Sequence, residues 1–337
     1  MSRVIDRSRV IDRSGEQCQV RPVLPTSLMW VADELGPTDW CVETTPAALA
    51  EIDAVAAQVA SQPLPHLQHR EIEQHWPNLR ACMQTLKSQL RDGRGFAVLQ
   101  GLDPDRYSDD VCVELFWLIG QCIGQPVAQK WNGEMVYGVR DTGAKYGYGV
   151  RGSRTAVELV FHVDNAFGEA VPDYVGLYCQ RPAKTGGISR FCSLYTVHER
   201  LRAADPKALE RLYQPMLFDR QKEHAAGAAP VLLAPFFSWR DERLFARANT
   251  SLVRKGYEVA ETVMDAELEH ALALVNRICE APDLWYEAPL QRGQIQYLNN
   301  HEIGHYRSAF EDFDEPELKR HLYRLWHRDH GSAAYDG

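Results

Sequence analysis

Leu159-Val160-Phe161-His162-Val163-Asp164-Asn165 is an apolar run that closes on a His-x-Asp pair. In an extended chain side chains alternate, so His162 and Asp164 point to the same face. One further imidazole would complete a 2-His-1-carboxylate set. Such a set fills three adjacent positions of an octahedral metal, leaves three open, and suits non-haem Fe(II) oxygen chemistry. In a β core the third ligand comes from a distant strand. Asn300-His301-Glu302-Ile303-Gly304-His305-Tyr306-Arg307 offers two candidates, His301 and His305, with a turn signal at Gly304 between them. Local chemistry leaves both open. His69, His75, His198, His224, His270 and His330 have no such context and read as surface or structural residues.

Downstream lies Arg320-His321-Leu322-Tyr323-Arg324. The even spacing puts both guanidinium groups on one face of a strand. Two cations turned inward need a partner, because an unpaired buried charge is costly. A dicarboxylate fits, since guanidinium holds carboxylate bidentately. Ion pairing with Asp312, Glu315 or Glu317 is the plainer alternative.

The order of elements around these residues suggests the fold. Thr45-Pro46 opens an amphipathic helix through Ala48, Ile52, Val55, Ala56 and Val59. A second helix runs from Trp76-Pro77 to Leu90, and Ser108 caps a third that ends near Gly124. Gly95 to Leu102 between them reads as a short apolar strand. Strand patterns then dominate: 173–179, 188–193, 285–290 paired with 294–298 around Arg292-Gly293, and 318–326, with helices near 197–203 and 267–280. Helices first and strands later predict a closed or double-sheet β core with helices packed outside. Residues 132–157, rich in Gly around Arg140, Arg151 and Arg154, are a candidate lid.

Composition sets the bounds. The chain has 337 residues, 45% hydrophobic and 25% charged, as in a globular protein with ample core material. The net charge of −9 argues against a nucleic-acid partner. No apolar stretch is long enough to span a membrane, and no secretory signal is evident. Eight scattered Cys with no C-x-x-C suit free thiols in a reducing cytoplasm. Ser-Arg-Val-Ile-Asp-Arg occurs twice in succession over 2–13, too short for a repeat architecture, and residues 1–25 read as a mobile leader.

At this point the chain resembles the Fe(II)/2-oxoglutarate-dependent oxygenases of the taurine dioxygenase (TauD/TfdA) superfamily, including the clavaminate synthase-like amino acid hydroxylases. The resemblance spans roughly residues 65 to 327. Five motifs carry it in order: Gly93 to Leu99 as a core strand, Phe161 to Phe167 as the proximal metal motif, Gly186-Gly187-Ile188-Ser189, the His-x-Arg-x-x-Phe of His305 to Phe310 preceded by Asn299-Asn300, and Arg320 with Arg324. It implies a mainly β fold with flanking helices (α+β), a double-stranded β-helix or jelly-roll, as one domain over 26–337. It selects His305 over His301 as the distal ligand beside His162 and Asp164. It also implies the cofactors Fe(II), 2-oxoglutarate and O2, with Ser189 and Arg320 on the distal carboxylate and Arg324 near the C1 carboxylate. The reaction implied is hydroxylation of an unactivated C–H bond of a small molecule, with release of succinate and CO2. Halogenase relatives replace the carboxylate ligand with a small residue, so Asp164 favours hydroxylation, while desaturation and ring formation share the same start.

The amino acid hydroxylases often carry Glu where this chain has Asp164, so no substrate is copied across. Asn132, Arg151, Arg154, Glu158 and Asn165 are candidates for the substrate rim, with an arginine for a carboxylate and Glu158 for an amine. Two alternatives are a non-catalytic jelly-roll binding module and a cupin-type isomerase or hydrolase. The sequence leaves the substrate and the oligomeric state open.

Overall fold

The computed structural model describes residues 10–15, 24, 26–145, 147, 149–240 and 242–336. The early helices start where their caps predict. Thr45 Oγ1 accepts the Ala48 N–H at 3.2 Å to open α1 (Pro46–Ser61), whose apolar stripe is buried as its spacing requires. No neighbouring side chain caps α2 (Pro77–Asp92); Glu51 of α1 accepts the Asn78 and Leu79 N–H groups instead, at 3.1 and 2.9 Å. Ser108 caps α3 (Asp109–Gln121).

These helices cover one face of a major sheet. Its spatial order is β2 (Cys41–Glu43), β3 (Phe96–Gln100), β15 (Ile295–Asn299), β7 (Tyr174–Arg181), β18 (His321–Arg328) and β4 (Gln125–Val127), with β5 (Tyr137–Val139) also on β18. The pleat explains the layering. Ala97, Leu99, Tyr297 and Leu325 turn outward to the helices, while Phe96, Val175, Leu298 and Trp326 turn inward. Gly176 is required by close packing, because a Cβ there would lie 2.5 Å from the Tyr297 ring.

A minor sheet, ordered β14 (Tyr286–Glu287), β9 (Ser189–Ser193), β16 (Ile303–Arg307) and β6 (Leu159–His162), packs on that inner face. Phe191 of β9 stacks on Phe96 of β3 at 4.6 Å between centroids, in a shared cluster with Ile303 and Trp326. The chain alternates between the sheets, from β6 to β7 to β9 and from β14 to β15 to β16 to β18. This is the expected double-stranded β-helix with flanking helices.

Several expectations need correction. The strands at 285–290 and 294–298 do not pair with each other. β14 joins β9 in the minor sheet, whereas β15 lies between β3 and β7. Gly293 does make a turn, at φ 86°, but there the chain crosses between sheets. The long stretch between β9 and β14 holds more structure than two helices. α4 (Leu194–Ala204), α5 (Pro206–Leu212), α6 (Thr250–Val259) and α7 (Ala266–Cys279) pack with β10 (Met216–Asp219), β11 (Val231–Ala234), β12 (Phe237–Arg240) and β13 (Arg243–Ala246) into a second core. The supposed leader is a strand in part: β1 (Val10–Asp12) runs parallel to β11. Residues 1–9, 16–23 and 25 of it lie outside the described residues. The candidate lid is also partly sheet, since β5 pairs with β18. Cys41, Cys82, Cys112, Cys122, Cys179, Cys192 and Cys279 are free thiols. Among the described residues no helix is long and apolar enough to cross a membrane.

Candidate metal centre and adjoining cavity

His162 ends β6 and sits opposite His305 of β16, with ring centroids 4.2 Å apart. Asp164 follows two residues beyond His162, and its backbone is clamped by Asn300. Asn300 Oδ1 accepts the Asp164 N–H at 2.8 Å, and Asn300 Nδ2 donates to the Asp164 and Pro172 carbonyls at 2.9 and 3.1 Å. Asp164 Oδ1 thereby lies 3.8 Å from both His162 Nε2 and His305 Nε2. One ligand atom from each of these three residues falls within 4.8 Å of the others.

The second oxygen of the carboxylate is already engaged. Arg324 Nη1 and Trp326 Nε1 each donate to Asp164 Oδ2 at 2.9 Å. Arg324 Nε donates to Gln129 Oε1 at 2.8 Å, which fixes the guanidinium plane. His162 Nδ1 lies 2.7 Å from the Val160 carbonyl, so Nδ1 carries the proton and Nε2 keeps its lone pair. Burial, then the neighbouring His305, pushes the His162 imidazole down to about 3. Burial alone would raise the Asp164 carboxyl, but Arg324, His305 and His162 hold it well below the usual carboxylate range. The arrangement is therefore two imidazole nitrogens and one anionic oxygen, a donor set that fits Fe(II).

His301 is elsewhere. Its Nε2 lies 2.8 Å from Asp173 Oδ1, and its ring stacks on Phe245 at 4.2 Å. The turn between the two histidines lies at 300–302 rather than at Gly304, which sits within β16, the strand that carries His305 inward.

Arg320 immediately precedes β18 and is buried. Its guanidinium takes none of the acidic partners considered from sequence; Asp312 Oδ1 accepts its backbone N–H instead, at 2.8 Å. Among the described residues Nη1 has no hydrogen-bond partner, and burial pushes the group down to about 10. Gly187, at φ 66°, lets the turn before Ser189 pass Arg320, where a Cβ would lie 3.2 Å from Nε. Ser189 opens β9 and is buried.

A cavity of about 270 Å³ opens on the centre and is lined by His162, Asp164, Arg324 and Trp326. Of the expected rim residues, Arg151, Glu158 and Asn165 line it. Asn132 and Arg154 do not. Asn132 Oδ1 accepts the Glu134 N–H at 3.2 Å in an exposed turn, and Arg154 is exposed to solvent. Arg151 is buried, with Nε on Glu223 at 2.7 Å and Nη2 on the Gln129 carbonyl at 2.9 Å. Sequence reasoning missed Gln129 and Trp326 around the centre, and Gln221, Asn249, Ser251 and Lys255 in the cavity wall. Trp326 was in reach, since it continues the even spacing of Arg320 and Arg324. Asn249, Ser251 and Lys255 lie in or beside α6 and Gln221 follows β10, and the positions of both depend on tertiary packing.

The sequence is 27% identical to FR-33289 synthase of Streptomyces rubellomurinus, over 71% of this chain and 70% of that protein. It is 26% identical to a taurine hydroxylase-like protein of Stachybotrys chartarum, over 96% and 83% of the two chains. Among solved structures, an asparagine oxygenase in complex with Fe(II), 2S,3S-3-hydroxyasparagine and succinate superposes with TM-score 0.65 at 20% identity, covering 86% of this chain and 94% of that one. The non-haem iron oxygenase OrfP in complex with Fe and alpha-ketoglutaric acid superposes with TM-score 0.63 at 15% identity, covering 86% and 94%. The model of the family described as taurine catabolism dioxygenase TauD, TfdA family, matches residues 61–326, and the chain belongs to that family.

Proposed function

We propose that the protein is an Fe(II)- and 2-oxoglutarate-dependent oxygenase that hydroxylates a C–H bond of a small organic acid, foremost an amino acid. One observation carries this: His162 and Asp164 of the His162–Asp164–His305 cluster line a cavity of about 270 Å³ together with the buried Arg324 guanidinium. Bound there, Fe(II) together with 2-oxoglutarate and O2 would supply the oxidising power, with succinate and CO2 as by-products. The protein's own part is positional. Val160 and Arg324 fix which atoms of His162 and Asp164 face the metal. Arg320 and Ser189 would take the distal carboxylate of the co-substrate, and Arg324 would border its C1 carboxylate. Glu158 would receive a substrate ammonium and Arg151 or Lys255 a substrate carboxylate, with Asn165 at the floor of the cavity. We place the whole catalytic unit in one domain and, on its free thiols, in the cytoplasm, with no role for nucleic acid given the acidic net charge.

The test is anaerobic addition of Fe(II) and 2-oxoglutarate. A visible charge-transfer band should form, and admission of O2 with a panel of amino acids and small acids should release succinate. A protein that binds metal yet gives neither band nor succinate would be a binding module instead.

A further inference from the structure

Arg307 is a buried cation that the proposed reaction does not yet use. It lies on the inward face of β16, two residues beyond His305, and its Cα pairs with that of Ser189 across the sheet. Directly opposed residues of an antiparallel pair have Cβ atoms ~5 Å apart. The side chain is therefore a neighbour of the expected co-substrate pocket. Its burial is nearly complete, at 7% exposure, and that of Arg320 is 5%. Both guanidinium carbons lie 4.9 Å from the centroid of the Phe310 ring. Among the described residues Arg307 Nε and Arg320 Nη1 are without hydrogen-bond partners. Among the described residues neither guanidinium makes an ion pair with a carboxylate. Two buried like charges beside one ring are unfavourable unless an anion joins them.

The other end of Arg307 reaches a different structure. Nη2 donates to the Thr155 carbonyl at 2.9 Å and also to the Val157 carbonyl. The Phe310 N–H donates to the carbonyl between them, that of Ala156, at 3.1 Å. Residues 155–157 are thus strapped by Arg307 to the strand that carries His305, and by Phe310 to the segment just beyond it. They run directly into Glu158, and Gly152, Ser153 and Glu158 form one wall of the cavity. A single side chain spans from the region of Ser189 and Arg320 to that wall.

We propose that Arg307 is a positioning residue that shares the distal carboxylate of 2-oxoglutarate with Arg320 and Ser189 and, by its bonds to Thr155 and Val157, fixes the cavity wall at 152–158 when the co-substrate is bound. The inference rests on the oxygenase reading. The physical basis is a difference between two states. With the pocket empty, repulsion from Arg320 loosens Arg307, and only neutral carbonyls hold it. A shared carboxylate replaces that repulsion with charge-assisted hydrogen bonds, which are shorter and stronger. The planar fork can then serve carboxylate and carbonyls at once, which a single ammonium does less well. Because such coupling is reciprocal, a substrate that orders the wall should also tighten the co-substrate.

The test uses the full chain with Fe(II) under anaerobic conditions. Occupancy by 2-oxoglutarate is followed by the charge-transfer band, and the backbone amides of 152–158 by hydrogen exchange. In the wild type, saturating 2-oxoglutarate should slow exchange at 152–158 by at least ~5-fold, the lower end of ordinary coupling. Arg307→Ala should raise the Kd for 2-oxoglutarate by ~10-fold and abolish that protection even at saturation. Arg307→Lys should recover much of the affinity but less than half of the protection. If Arg307→Ala folds, binds 2-oxoglutarate as the wild type does and keeps the protection, the inference is overturned while the oxygenase reading stands. Should Arg307→Ala fail to fold, full protection in Arg307→Lys overturns it equally. A wild type that shows no band and no 2-oxoglutarate binding overturns both.

Discussion

Asp164 shows how one carboxylate can be left with a single free oxygen. Arg324 and Trp326 both donate to Oδ2, so Oδ1 alone is left to face His162 and His305. Asp164→Ala should therefore abolish tight Fe(II) binding and succinate release coupled to substrate, as read by calorimetric titration and turnover. Trp326→Phe keeps the ring in the core but removes one donor to Oδ2. It should weaken Fe(II) affinity by ~10-fold, the lower range for an outer partner of a ligand, while leaving the melting temperature close to that of the wild type. A larger fall in stability than in affinity would show that the indole matters only for packing. The two C-terminal histidines separate in the same way. His305→Ala should lose the metal. His301→Ala should keep it and instead cost about 1 kcal/mol of stability, because the hydrogen bond to half-buried Asp173 and the stacking on Phe245 are lost. From residues alone the two were indistinguishable. Only the ordered set of motifs favoured His305, because the register of β16 against β6 is a long-range fact that no local pattern records.

Among the elements, those with local signals were legible and those defined by distant partners were not. α1, α3 and α7 have an apolar stripe and a side-chain cap written in adjacent residues, Thr45, Ser108 and Asp265. β14 and β15 both have strand-like residues around a turn, and nothing local says that one serves the minor sheet and the other the major. Another long-range contact has a pH dependence that can be worked out. His66 and His69, from the turn before α2, both contact Glu114 of α3 through Nδ1, the latter at 2.7 Å. The hydrogen bond to Glu114 raises His66 above its ordinary 6.5, against the effect of burial. Burial would raise Glu114, but its bonds to His66 and His69 hold it below its ordinary 4.5. A raised histidine stabilises the fold fully below its unfolded value and loses that contribution as pH climbs through its folded value. A lowered carboxyl contributes above its unfolded value and loses it as pH falls through its folded one. The contact is thus strongest between roughly pH 4.5 and 6.5. Comparing His66→Gln with the wild type by thermal melts, the stability gap should be widest near pH 5.5 and narrow steadily towards pH 8.5. A gap that does not change over that range would mean that His66 acts by packing alone.

At the scale of the molecule, the centre lies where the two sheets meet. His162 and His305 belong to the minor sheet, whereas Arg324 and Trp326 belong to the major one, and Asp164 joins them. Motif order was enough to anticipate a jelly-roll core, whereas which sheet carries each motif is a long-range fact. The second core around α4 to α7 was less visible, because its short strands are set by packing within that core rather than by a strong local period. A ligand that joins elements from both sheets should stabilise the whole fold, since both must be in place for it to bind. Fe(II) at 100 times its Kd would add about 2.7 kcal/mol by mass action. With an unfolding entropy of roughly 2.1 cal/mol/K per residue, a chain of this length has a slope on the order of 0.7 kcal/mol/K. The expected rise in Tm is then about 4 °C for the metal, and a similar further rise for 2-oxoglutarate added to the metal-loaded protein. Order of addition is the decisive part. If 2-oxoglutarate is held by the metal as well as by Arg320 and Ser189, it should raise Tm far less without Fe(II), and a chelator added afterwards should remove most of both increments. Equal shifts by 2-oxoglutarate with and without metal would place its site away from His162, Asp164 and His305, and would break the link between the arginine pocket and the metal cluster.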